Sequence, residues 1–261
     1  MKSLIYCIAL LLGSLSLQAQ ELASPGNEKA AAEKIAPLIS VGIQLGTDIG
    51  GAVPVPFKYL PKTYNPYPHL NLSLGGRVSA LLDPSWSVGA EVTYKTLNLN
   101  ADARVKNQKF QDKENIQYFT GSANMQQRFT IVEFPVYAKY HFRGKNDRVL
   151  LGLYNAWTLD GLFRVEPLKG FIGSEADRFD AKMDAKMDEM RFDESLGTWD
   201  IGLLCGYERQ IFPRLDMGIR FSCGFKDIFK HGNKYFDYSM IHMRGSVVLS
   251  YDLARFSVKR S

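Results

Sequence analysis

Residues 215–226 read LDMGIRFSCGFK. Leu215, Met217, Ile219, Phe221, Cys223 and Phe225 alternate with Asp216, Gly218, Arg220, Ser222, Gly224 and Lys226. A period of two marks a β-strand whose two faces meet different surroundings. The same alternation recurs in SVGIQLGTDIG (40–50), HLNLSLGGRVSALL (69–82), WSVGAEVTYK (86–95), VEFPVYAKYHF (132–142), VLLGLYNAWTLDG (149–161), WDIGLLCGYERQI (199–211) and MIHMRGSVVLSYDL (240–253). That makes about eight strands. Asn155 falls on the apolar side of the fifth.

The connections alternate in length. Asp83-Pro84-Ser85, RGKND (143–147) and the neighbourhood of Pro213 are short, whereas 51–68, 97–128, 165–197 and 228–239 read as long loops. Short turns at one end and long loops at the other predict an up-and-down antiparallel meander with two unlike ends.

Alternation alone does not say which face is enclosed, because soluble and membrane barrels both show it. The glycines decide. Gly42, Gly46, Gly75, Gly89, Gly152, Gly202, Gly206, Gly218 and Gly224 lie on the polar face. On a water-facing strand glycine packs nothing and weakens the strand, but in a narrow lumen its missing side chain makes room. Most strands also reach the 9–11 residues that a tilted membrane crossing needs. Closure into a ring satisfies the backbone without water. The expected fold is all-β: a transmembrane antiparallel barrel of about eight strands, with apolar side chains toward lipid.

The N-terminus fits an exported chain. Lys2 precedes the apolar run Leu4–Leu17, and Gln18-Ala19-Gln20 follows, the pattern of a secretory signal peptide cleaved after Ala19. The expected organisation is a signal peptide at 1–19, a periplasmic segment at 20–37, the barrel at 38–254 and a tail at 255–261. The chain carries 32 Lys and Arg against 27 Asp and Glu, a net charge of +5 without a basic cluster interleaved with aromatics, which excludes nucleic acid as a partner. Cys7 leaves with the signal peptide. Cys205 and Cys223 read as two small apolar residues with free thiols, and a cross-strand disulfide between them is the alternative.

The inward set holds Asp48, Glu91, Glu133, Asp160, Asp200, Glu208, Asp216 and Asp252 with Arg77, Lys95, Lys139, Arg220, Lys226 and Arg244. Eight strands leave a lumen that side chains fill, so these groups are expected to form a salt-bridged plug, with a proton or ion path as the alternative. The three-residue turn at 83–85 places Arg77 opposite Glu91. An interfacial aromatic girdle is expected from Trp86, Tyr94, Tyr140, Trp199, Tyr207 and Tyr251.

Motifs for catalysis are sparse. His141 and His242 read as inward near strand ends, and His69 and His231 lie in or beside loops. No G-x-S-x-G elbow, H-E-x-x-H helix or phosphate-binding glycine loop occurs, so no catalytic residue, metal or cofactor is expected. FDAKMDAKMDEM (179–190) spaces Asp180, Asp184 and Asp188 four apart, a solvated acidic loop rather than a cation site. Tyr235, Phe236 and Tyr238 offer a loop anchor or an outer-leaflet belt.

SVGIQLGTDIGG, TIVEFPVYAKYHF (130–142) and TWDIGLLCGYE (198–208) resemble the PorT-type outer-membrane β-barrel family, in which an x-E-x-P-x-x-x-K-Y strand leads into a short turn and a later strand reads D-x-G-x-x-x-G. The resemblance covers residues 38–254. It departs at the end, where ARFSVKRS follows Tyr251-Asp252-Leu253 in place of a terminal aromatic. It implies a bacterial outer-membrane location and, for some members, a part in secretion or assembly. The expected role is therefore non-enzymatic: structural, assembly-related or surface-binding, with both termini periplasmic, lipid around the barrel and a protein partner met through the outer loops. The alternatives are an enzyme acting on outer-membrane lipid through a Ser/His pair at the rim, and a secreted soluble ligand-binding barrel.

Overall fold

Each alternating stretch lies on a strand of one antiparallel sheet that closes on itself. The computed structural model describes residues 38–60, 63–112, 115–143, 146–178, 181–183, 190–230 and 238–257. Among them the strands are β1 (Leu38–Val55), β2 (Thr63–Pro68), β3 (Asn71–Leu81), β4 (Trp86–Asp112), β5 (Asn115–His141), β6 (Asp147–Gly173), β7 (Ala181–Met183), β8 (Met190–Arg191), β9 (Trp199–Phe212), β10 (Leu215–Gly224) and β11 (Ser239–Ser257). The ring runs β1-β3-β4-β5-β6-β9-β10-β11 and returns to β1, eight strands in all. β2 pairs with the edge of β4, and β7 and β8 pair with β6. The signal peptide and the 20–37 segment lie outside the described residues.

The stagger of the ring follows from the pairings. From Trp86 the partners run Tyr140, Val149, Tyr207, Ile219, Val247, Thr47 and Leu72. Ser73, next to Leu72, pairs with Lys95, so the circuit returns to β4 at Thr96, ten residues above Trp86. Eight strands with that stagger tilt by about 40° and enclose a radius of about 8 Å. Such a lumen has room for side chains and little else.

Apolar residues face out. Ile219 is 57% exposed and Val136 62%, whereas Gly218, Arg220 and Lys139 on the alternate positions are buried. The inward glycines are where tyrosines need space. A Cβ on Gly89 would strike the Tyr137 ring, and one on Gly202 would strike Tyr154.

Several expectations of extent change, among them the 51–68 loop, into which β1 runs as far as Val55 and in which β2 forms. Residues 97–128 are not a loop: β4 and β5 continue as a long hairpin from Lys95–Ile131 pairing up to Asp112–Asn115. Likewise β6 runs on to Gly173, past the expected loop start at 165. The reason is a change of parity. Below Thr96, β4 turns Val88, Ala90, Val92 and Tyr94 outward; above it, Leu97, Leu99 and Ala101 turn inward while Asn98, Asn100 and Asp102 turn outward. The strand leaves lipid and enters water without stopping. A β-bulge between Val105 and Gln108, with Asn107 at φ 52°, bends the far part of β4 beside the exposed Lys106. At the other end β11 runs to Ser257, paired with Leu38, three residues beyond the expected Ala254.

Candidate functional site

The lumen is built in storeys. Nearest the short turns, Arg77 spans to Asp216 at 2.8 Å and Asp252 at 2.6 Å, Arg148 joins Asp216 at 3.0 Å, and Arg255 closes on Asp252 at 2.8 Å. In the middle storey Arg220 forks onto Glu91 at 2.7 and 2.9 Å and reaches Glu208 at 2.8 Å. Lys139 pairs with Glu208, and Tyr137 and Gln44 donate to Glu91 at 2.5 and 2.8 Å. Above, Glu133 takes Arg244 at 2.5 Å and Lys95 at 2.8 Å, and Lys95 also reaches Asp48 at 3.4 Å. Asp200 accepts from the Tyr154 hydroxyl at 2.7 Å. The guanidinium of Arg244 lies 5.1 Å from the Tyr154 ring centre, and that of Arg220 5.6 Å from Tyr137, so the aromatic faces also hold charge.

All ten residues assigned to the interior charge network therefore meet in the lumen: Arg77, Glu91, Lys95, Glu133, Lys139, Asp200, Glu208, Arg220, Arg244 and Asp252 are buried. Arg77 does sit opposite Glu91 in the ladder, but its charge partners are Asp216 and Asp252 across the lumen. Cross-strand register fixes backbone neighbours, whereas long side chains in a tilted ring reach residues on other strands. Two members of the inward set lie outside it. A bulge opposite Thr130–Ile131 turns Asp160 to the exterior, and Lys226 lies past the end of β10 with its ammonium 4.0 Å over the Trp199 ring. Arg148 and Tyr154 complete the network and were not expected in it. The signal for Tyr154 was there, in Gly202, which pairs with it and leaves room for its ring.

Above the charges sits an apolar storey. Leu97, Phe129 and Met240 from the wall meet Phe192, Leu196, Ile228 and Phe229 from two connections that fold over the mouth. Phe163, Phe192 and Phe229 contact edge to face with ring centres 5.3 to 6.4 Å apart. Backbone bonds lock these connections together: Gly197 N donates to Ile228 O at 2.6 Å and Lys230 N to Ser195 O at 2.7 Å. His242 lies between the storeys, its ring 4.9 Å from Phe129. Thus ion pairs line the lumen below and aromatic side chains line it above.

Outside, the six girdle residues face the exterior. Trp86, Tyr140 and Phe142 stack edge to face at 5.1 and 5.4 Å near the short turns, with Tyr207 and Tyr251 at the same end. Tyr94 and Trp199 stand at the other boundary, joined by Trp157, which pairs with Trp199. Trp86 and Tyr94 are eight residues apart, about 20 Å along the axis at this tilt, close to the height of a barrel's lipid band.

A family described as outer membrane protein beta-barrel domain matches residues 18–230. The chain belongs to the outer-membrane β-barrel family. Its place is the bacterial outer membrane. Similar solved structures include Neisserial surface protein A (9% identity, TM-score 0.33, 82% of this chain and 99% of that one), Ail of Yersinia pestis (8%, 0.36, 85% and 99%) and OprG of Pseudomonas aeruginosa (10%, 0.31, 86% and 98%). No curated protein matches in sequence.

Other candidates fall as follows in this barrel. Cys205 and Cys223 are free thiols; Cys205 pairs with Phe221 and Cys223 with Leu203, out of step by two residues. His141 Nε2 lies 2.7 Å from Ser87 Oγ, a Ser/His contact at the short-turn end rather than among the long connections. His69 is exposed. Tyr238 packs against the apolar storey. His231, Tyr235, Phe236, Asp180, Asp184 and Asp188 lie outside the described residues.

Proposed function

We propose that this protein is a sealed outer-membrane barrel that carries a rigid binding surface outside the cell, without catalysing a reaction. Residues 1–19 direct export, and the termini and short turns face the periplasm, so the long ends of β4, β5 and β6 stand outside. One observation carries the reading: three neighbouring strands of 27 residues each continue as a single sheet far beyond the two aromatic belts. A membrane crossing uses about ten of those residues. The remainder holds a stiff projection in place, as a surface made for contact requires. The charged levels of the lumen and the apolar storey above them support a barrel that serves as anchor and not as pore.

The strand motifs that resemble the PorT type support that placement within the family, and with it an assembly or secretion role in which the projection meets a protein partner while lipid surrounds the barrel. The Ser87–His141 contact favours a second reading, hydrolysis of a lipid ester at the periplasmic rim. Ser87 is only 5% exposed, which weakens that reading. Mature protein inserted in a planar bilayer is expected to give no steady conductance, and a lasting porin-sized current would overturn the sealed lumen. An Arg104→Cys variant is expected to react with a membrane-impermeant maleimide on intact cells; labelling only after lysis would invert the orientation.

A further inference from the structure

The outward face of the projection has an unusual composition. Register places Tyr67, Asn100 and Gln126 in one row across β2, β4 and β5, and Asn65, Asp102 and Asn124 in the next. Asn and Asp are disfavoured in strands, because they pack poorly on a pleated surface and compete for backbone hydrogen bonds. Strand formation alone would select Thr, Val or Tyr here. Four amides and a carboxylate on adjacent strands therefore answer to another demand.

The side chains are held in place. Asp102 accepts from the Tyr67 hydroxyl and from Asn124 Nδ2, both at 2.7 Å, and Gln126 Nε2 donates to Asn124 Oδ1 at 3.3 Å. Toward the membrane, Arg128 Nε is fixed on Asn98 Oδ1 at 3.1 Å. Each amide presents a donor and an acceptor side by side, and a carboxylate presents two acceptors. Paired donors and acceptors at that spacing match neighbouring hydroxyls on a sugar ring. Tyr67, 50% exposed at the border of the patch, supplies a flat ring for the apolar face of such a sugar.

Position selects the source. Asn100 is six residues beyond Tyr94, the last outward aromatic of β4, which puts it about 15 Å above the belt. Phospholipid headgroups extend only about 5–8 Å past the hydrocarbon. The two rows of the patch hold one carboxylate and no cation, with Arg128 and Arg104 in the rows on either side, which suits hydroxyls better than phosphates. We propose that this face binds the oligosaccharide of a glycolipid in the surrounding outer leaflet, in contact with sugars two or three residues removed from the lipid anchor. The proposal rests on the reading of the projection as extracellular and names what it touches.

The test uses full-length mature protein in detergent, with the delipidated and dephosphorylated core oligosaccharide of a rough-type lipopolysaccharide as probe. Saturation-transfer NMR and calorimetry are expected to show saturable binding, weakened at least tenfold in the double variant Asn100→Ala/Asn124→Ala. Heat-modifiable gel mobility verifies that the variant stays folded, and Lys169→Ala is expected to bind as the parent does. Absence of saturable binding, or an unchanged affinity in the double variant, would refute the site. Equal affinity for dextran would refute the glycolipid as its source, as would competition by inorganic phosphate. Binding in detergent does not depend on orientation, so its failure leaves the maleimide result standing, and the reverse also holds.

Discussion

The lower and upper parts of β4 share one alternation and carry opposite chemistry. From Trp86 to Lys95 the outward residues are apolar and the inward ones are Ser87, Gly89, Glu91, Thr93 and Lys95; from Thr96 to Asp102 the outward residues are polar and Leu97, Leu99 and Ala101 turn in. β5 changes the same way, with Glu133, Tyr137 and Lys139 inward below and Ile131 and Phe129 inward above. The backbone ladder does not register the change. Period sets the strand, and the parity of the apolar residues reports the solvent on each side of it.

The largest way to break the lower part is to leave its charges unmatched. Arg220→Ala leaves the buried Glu91 without a cation and Glu208 with Lys139 alone, and a cost of about 3–5 kcal/mol is expected in urea unfolding followed by tryptophan fluorescence in lipid vesicles. A Met at the same position, which brings no unpaired charge of its own, still leaves Glu91 without a cation and Glu208 with Lys139 alone, and is expected to rescue little.

A matched pair of outward substitutions sharpens the contrast. Ile219→Arg places a charge in the middle of the lipid band and is expected to cost about 2–4 kcal/mol. Asn100→Arg, outward on the upper part of β4 and opposite Gln126, is expected to stay within about 0.5 kcal/mol of the parent. Equal costs for the two in the same unfolding assay would mean that the boundary near Thr96 is misplaced.

The smallest effect concerns acid and the edge of the projection. Hydrogen bonds from Asn124 and Tyr67 hold the Asp102 carboxylate below the usual carboxylate range. A carboxylate lowered by folding stabilises at neutral pH, and that contribution fades as pH falls through its folded value. The same bond raises the Tyr67 phenol, which therefore stays protonated at neutral pH. Faster amide exchange in Thr63–Pro68 than in the rest of the sheet, after correction for intrinsic rates, is expected when pH is taken from neutral to the acid side. Asp102→Asn should remove that difference.

The strand count, the outward apolar face and the glycine-lined lumen were legible because each rests on residues close in sequence. The partners inside the lumen were less so. Arg77 can be counted to Glu91 through a three-residue turn, but its bonds to Asp216 and Asp252 depend on how a ten-residue stagger brings distant strands across the ring. The projection was hidden for a different reason. TYKTLNLNADARV keeps a period of two while its apolar residues move from even to odd positions, and a search for one continuous apolar face ends at Lys95. Similarly, the Asp160 side chain was assigned inward because a one-residue bulge opposite Thr130 leaves no local mark in sequence.

The bulge at Val105–Gln108 has a bearing on life at high density. Outer membranes crowd such molecules shoulder to shoulder, and a long flat edge on each would let neighbours zip into fibrils. Here the bent, lysine-bearing margin of β4 and the short strands laid along β6 deny a neighbour the straight run of unpaired amides it would need. Crowded copies thus lack one ready route into one another's sheets.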